Sequence, residues 1–276
     1  MKKVLVVLAV LVLAGSVFAA PGGIIGSGFS FGVVRGVDHD WTDNNIWMTT
    51  AVANNCQIGK FDAVSHAQVG SWVTAAGQYW CFDCGYGYIY NGTTSIILAD
   101  QNSPRMKVYN PTTGASLGTL PNAFPEYSYD DGIGVYAGTA ITLTNLWATS
   151  YNGNPVKKSD YPCTTWTSFG TTPATPTMGC AYGWNKVLVV TTSPGYTIYC
   201  FDATTGTLDY TWPLIAWPGY LMGMAAGRVD AVGSDESVFI AIFSPSNSIY
   251  EVEIGDISGN PRVVPTSLGM IKSAYK

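Results

Sequence analysis

Asp38-His39-Asp40 is the densest polar cluster in the sequence. Two carboxylates around an imidazole can ligate a hard cation, move a proton, or accept backbone N–H groups at a strand end. In an extended strand, alternation places Asp38 and Asp40 on one side and His39 on the other. Segments of similar composition further along carry Asp83, Asp130 or Asp131, and Asp230. Where such segments converge, Asp38, Asp40, Asp131 and Asp230 make an oxygen-ligand set for Ca²⁺; no motif demands any other cofactor. The structural alternative is that each carboxylate caps its own strand. A glycoside hydrolase arrangement is a further reading, with Asp38 as base, Asp131 as orienting group and Glu126 as acid. Glutamate is scarce, confined to Glu126, Glu236, Glu251 and Glu253, and no motif surrounds it.

Cys81-Phe82-Asp83-Cys84 has the spacing of redox and zinc sites. Redox pairs sit at a helix N-terminus, which this strand-like stretch does not offer. No second such pair exists, and His39 and His66 are the only histidines, so a four-ligand zinc site lacks donors. A structural disulfide to another strand is the favoured reading. Nucleophilic catalysis lacks a Ser or Cys motif to pair with His39. Aromatics offer more: Trp41, Tyr86, Tyr129, Tyr182 and Trp184 are candidate binding residues, since flat rings with polar edges suit sugar faces and protein partners. The competing role for such rings is to fill space between sheets.

The elements that must position these residues are strands. Apolar residues run in short β-branched and aromatic blocks bounded by Gly, Pro, Asn, Asp and Thr, and helical periodicity is nearly absent. Asn45-Ile-Trp-Met, Thr94-Ser-Ile-Ile, Asn145-Leu-Trp-Ala, Lys186-Val-Leu-Val and Ser237-Val-Phe-Ile recur in the same order. Each follows a glycine-containing strand and precedes a strand ending in a polar turn, at Asp62, Asn110, Asp160, Asp202 and Glu253. Repeats of about forty to fifty residues without helix predict the blades of a β-propeller. The expectation is an all-β, single-domain ring over 33–270 with about five four-stranded blades, six being the alternative. The units fall at about 33–76, 77–123, 124–172, 173–219 and 220–270. Residues 21–32, rich in glycine, are expected to add a strand to the last blade and close the ring.

The turns Tyr109-Asn-Pro-Thr-Thr-Gly114 and Phe201-Asp-Ala-Thr-Thr-Gly206 resemble those of the quinoprotein-like and YVTN-like propeller repeats. The other three units keep only the acidic residue. The resemblance implies fold, not chemistry, because the Asp or Asn organises a hairpin turn. The family's quinone enzymes pair their cofactor with a vicinal disulfide in rings of eight blades; this chain has no Cys-Cys pair, which disfavours a quinone.

Lys2-Lys3, an apolar run to Leu13 and the small-residue end at Ala20 read as a secretory signal peptide over 1–20. The protein is therefore expected to be secreted, extracellular or periplasmic, and the six cysteines of the remainder to form one to three disulfides. The net charge of −5, which becomes −7 without Lys2 and Lys3, argues against nucleic acid as a partner. No later apolar stretch is long enough for a membrane span. The residues point to a binding or scaffold module for an extracellular glycan or protein, the hydrolase being the alternative.

Overall fold

A computed structural model describes residues 22–25, 28–30, 32–40, 42–52, 55–73, 81–100, 106–127, 132–136, 144–175, 177–192, 195–214, 219–229, 236–244, 246–255 and 257. Residues 1–20, read above as a signal peptide, lie outside them. Strands alone form the regular structure of the described residues.

Blade 1 is β1 (Val33–Asp40), β2 (Asn45–Val52), β3 (Asn55–Asp62) and β4 (Gln68–Val73). Blade 2 is β5 (Cys81–Tyr90), β6 (Thr93–Asp100), β7 (Met106–Tyr109) and β8 (Ser116–Leu120). Blade 3 is β9 (Gly132–Tyr136), β10 (Asn145–Thr149), β11 (Pro155–Asp160) and β12 (Thr167–Thr171). Blade 4 is β13 (Thr177–Gly183), β14 (Lys186–Thr191), β15 (Thr197–Asp202) and β16 (Leu208–Pro213). These four are antiparallel meanders in sequence order. Blade 5 has three strands of its own, β17 (Tyr220–Val229), β18 (Glu236–Ser244) and β19 (Ser248–Gly255). Its outer edge is taken by the N-terminal segment: Ile24 and Phe29 bridge Val252 and Ile249, and the Ile25 amide donates to the Glu251 carbonyl at 2.9 Å. The protein is thus a five-bladed β-propeller.

Alternation makes the ring cohere. On β6, Ile96 and Leu98 pack toward blade 1, while Ile97 and Ala99 pack toward blade 3. Each sheet buries both faces, so the core is not one mass but a set of wedges between neighbouring blades. The wedge that joins Val37, Ile46 and Met48 of blade 1 to Ala225 and Phe239 of blade 5 completes the circle.

The polar turns clasp adjacent blades. Asp202 Oδ1 accepts the Thr204 and Thr205 amides at 3.0 and 2.9 Å, and Asn110 Oδ1 accepts those of Thr112 and Thr113 at 2.8 and 2.9 Å. Gly114 (φ 69°) closes its turn against the Trp72 ring of the preceding blade, whose indole N–H donates to the Thr112 carbonyl at 3.1 Å. In blade 1 His66 takes the glycine's place at φ 58° and stacks on Phe29, centroids 4.0 Å apart.

A disulfide joins Cys56 of β3 to Cys81 of β5, linking blades 1 and 2. Cys84, the other half of the C-x-x-C pair, is a buried free thiol, as are Cys163, Cys180 and Cys200.

Candidate functional site

The innermost strands approach one another at one shared position. It is glycine in four blades: Gly36, Gly132, Gly179 and Gly223. A Cβ on Gly179 would lie 2.7 Å from the Met224 nitrogen, and one on Gly223 would lie 2.8 Å from the Gly36 Cα. Backbone atoms cannot yield there, so only hydrogen fits. In blade 2 the position is Asp83, fully buried. Its Oδ1 accepts the Val37 and Cys84 amides at 3.2 and 2.9 Å, and its Oδ2 accepts the Ile133 amide at 3.1 Å. One carboxylate thereby ties β1, β5 and β9 and lies against Gly223 of β17, plugging the axis. Burial pushes the Asp83 carboxyl well above the usual carboxylate range; the three amides pull it down, and the nearby Asp38 charge adds to the rise.

Beyond the plug a cavity of about 280 Å³ is walled by β1, β5, β9, β13 and the first and fourth inner hairpins. Asp38 Oδ1 accepts the His39 amide at 2.8 Å, and Oδ2 accepts the Tyr86 amide. Burial lifts Asp38 to about 7 against the pull of those amides, with Asp40 contributing further. Asp40 is only 1% exposed. Its Oδ1 accepts the Thr42 and Asp43 amides at 3.0 and 3.3 Å, whereas its Oδ2 is buried without a hydrogen-bond partner. The Tyr86 phenol is held protonated by burial first and by Asp40 second. As alternation requires, Asp38 and Asp40 face blade 2, while His39 turns toward Phe239 of blade 5, ring centroids 5.9 Å apart. His39 Nε2 meets Asn44 Oδ1 at 3.2 Å.

The aromatic wall is built twice by the same rule. Tyr86 stacks on Trp47 of the preceding blade at 5.2 Å, and Tyr182 stacks on Trp147 at 5.0 Å with planes 5° apart. Lys60 and Lys158 cover the two tryptophans from outside, at 5.1 and 5.7 Å. Tyr136 leans on Tyr182 at 4.8 Å. Trp184 owes its place to a turn: Gly183 pairs with Lys186, and Trp184 and Asn185 between them have φ of 53° and 59°. This is the two-residue loop for which Asn-Gly is preferred, as at Asn91-Gly92 between β5 and β6. A tryptophan at positive φ is strained, and such strain is tolerated where the side chain is needed.

Five sequence candidates, Asp38, Asp40, Tyr86, Tyr182 and Trp184, therefore meet in one cavity wall. Trp41, Tyr129, Asp131 and Asp230 lie outside the described residues. Among the described residues no group of three or more His, Cys, Asp or Glu is arranged to hold a metal ion, so Asp38 and Asp40 alone represent the Ca²⁺ set. Glu126 is not in the cavity wall; it pairs with Lys157 at 2.8 Å, and the Lys157 ammonium also lies 4.6 Å from the Phe124 ring centroid. Tyr136 was missed from the sequence because its strand, Gly132–Tyr136, is short and carries no other aromatic.

No family model matches the sequence, and no curated protein matches it. Among solved structures, the chain is similar to one from a nidogen/laminin complex, with a TM-score of 0.50, 14% identity, and 80% of each chain covered. It is also similar to the calcium-binding protein regucalcin from Agrobacterium tumefaciens strain C58, with a TM-score of 0.48, 10% identity, and 84% of this chain and 94% of that chain covered. The likeness to the first of these is one of fold.

Proposed function

We propose that this protein is an exported, non-catalytic binding module that receives a protruding group of a partner, glycan or protein, in the cavity at the end of its axis. The observation that carries the reading is the cavity itself. It is blind, because Asp83 stops the axis beneath it, and its wall joins carboxylates to aromatic rings, the mixture that orients a polar ligand against an apolar surface. Trp184, kept in a turn that disfavours it, supports the same reading. Export rests on the apolar N-terminal segment, and a Cys56–Cys81 disulfide accords with an oxidising compartment. The similar fold solved in a nidogen/laminin complex is a precedent for a protein partner.

The test is a glycan array and a peptide array, each probed with the chain and with its Trp184→Gly variant, with and without Ca²⁺. Binding lost in the variant supports the proposal; binding unaffected by it places the partner elsewhere. Cleavage of an arrayed glycan that disappears in Asp38→Asn would replace the module with a hydrolase.

A further inference from the structure

Resting on the binding reading above, we propose that the group taken up by the cavity is an organic ammonium, either a free alkylamine or the ε-ammonium of a partner's lysine. Charge is the first argument. Asp38 and Asp40 line the wall, Asp83 lies one layer beneath, and no lysine or arginine is among the described wall residues. With a neutral or anionic ligand these crowded carboxyls are driven to hold protons, whereas a cation stabilises their ionised form. The second argument is the unused acceptor. Asp40 Oδ2 is buried outside the hydrogen-bond geometry of any described donor, although the Tyr86 hydroxyl faces this carboxylate, and the arrangement costs free energy until a well-placed donor arrives. An ammonium supplies N–H donors together with the charge.

The third argument separates an organic cation from a metal ion. Ca²⁺ takes about six to eight oxygen ligands, and two carboxylates among rings do not provide them. Beside His39 and Thr42 on the carboxylate side, most of the side-chain surface of the wall comes from the rings of Tyr86, Tyr136, Tyr182 and Trp184, suited to methylene or methyl groups next to a positive charge and poorly suited to a hydrated ion. A volume of about 280 Å³ limits the occupant to a small molecule or a single side chain.

Titration calorimetry and Trp fluorescence with n-butylammonium, tetramethylammonium, n-butanol, glucose and CaCl₂ on the mature chain test this. A lysine-containing peptide, compared with its norleucine analogue, forms the other arm. The expected result is binding of n-butylammonium, weaker binding of tetramethylammonium, which has the charge but no N–H for Asp40 Oδ2, no binding of n-butanol, and n-butylammonium affinity reduced about tenfold or more in Asp40→Asn, which removes one charge-assisted contact. Circular dichroism confirms that the variant is folded, and Lys157→Gln, paired with Glu126 away from the cavity wall, serves as the charge-change control. Binding of the small amines without preference for the lysine peptide identifies a free amine as the ligand; preference for the peptide identifies a lysine. Glucose or Ca²⁺ binding where the amines fail overturns the ammonium inference and leaves the binding module standing. An absence of binding by every probe overturns the ammonium inference also.

Discussion

The Asp83 carboxylate accepts the Val37 amide from one neighbouring blade and the Ile133 amide from the other, at 3.2 and 3.1 Å. A single side chain thus measures the separation of three inner strands. Where the other blades have glycine and touch backbone to backbone, blade 2 uses a carboxyl side chain to fill the axis.

Asp83→Ala is expected to destabilise the fold by about 3 kcal/mol or more, because it leaves buried amides without an acceptor and opens a void. Urea unfolding of the two proteins checks this. Gly223→Ala, whose Cβ would meet Asp83 Oδ1 at 2.6 Å, is expected to cost about 1–3 kcal/mol, and the two losses should fail to add.

Trp184→Gly should act more strongly on binding than on stability. Glycine relieves the positive φ that Trp184 endures, which offsets part of the packing the indole gives up against the core shared by blades 4 and 5, so a stability loss of about 1 kcal/mol is expected while the cavity loses a wall. A loss of several kcal/mol in urea unfolding with binding unchanged would mean that the indole is there to pack.

The pH profile of stability carries the signature of Asp38. A carboxyl lifted to about 7 in the fold holds its proton more tightly folded than unfolded, so stability is full below the ordinary carboxylate range and falls as pH rises toward 7. Asp83, pushed up by burial, acts with the same sign. The groups facing Asp38 are His39 and Asp40 on its own strand and Asp83 and Tyr86 on β5. The urea midpoint should therefore fall between pH 5 and pH 8, and the fall should be smaller in Asp38→Asn. An equal slope in both proteins would show that Asp38 does not carry the effect.

Removing the Cys56–Cys81 link by paired serine substitutions frees a loop with a sequence separation of 25 and is expected to cost about 3 kcal/mol in guanidinium unfolding. A reductant should lower the stability of the wild-type chain by a similar amount and leave that of the double variant unchanged.

The architecture was legible because propeller geometry writes itself into local chemistry. A turn such as Asp202 to Gly206 needs an acceptor and a positive φ at fixed spacing, and Trp47 and Trp147 stand at the same point of equivalent strands. The site was legible by half. Tyr86 and Tyr182 could be placed on inner strands, but the stacking that fixes their rings depends on the preceding blade, a contact no repeat period reveals. Asp83 looked like a further ligand for a cation. Only the closeness of Gly36 and Gly223 shows that it is a plug. The C-x-x-C motif is structural, as its strand context implies: its first cysteine reaches back to blade 1, while its second stays free, which the spacing alone does not reveal.

The N-terminal segment that lies along β19 has a kinetic meaning. Ile24 and Phe29 cannot find Val252 and Ile249 until blade 5 has been synthesised, and loop closure of that length comes late in folding. An incomplete chain leaves an apolar strand edge at one end of the ring and a loose pairing segment at the other. Such a chain can exchange that segment with a second molecule, so the ring that isolates each finished protein also makes each unfinished one a potential partner for its own kind.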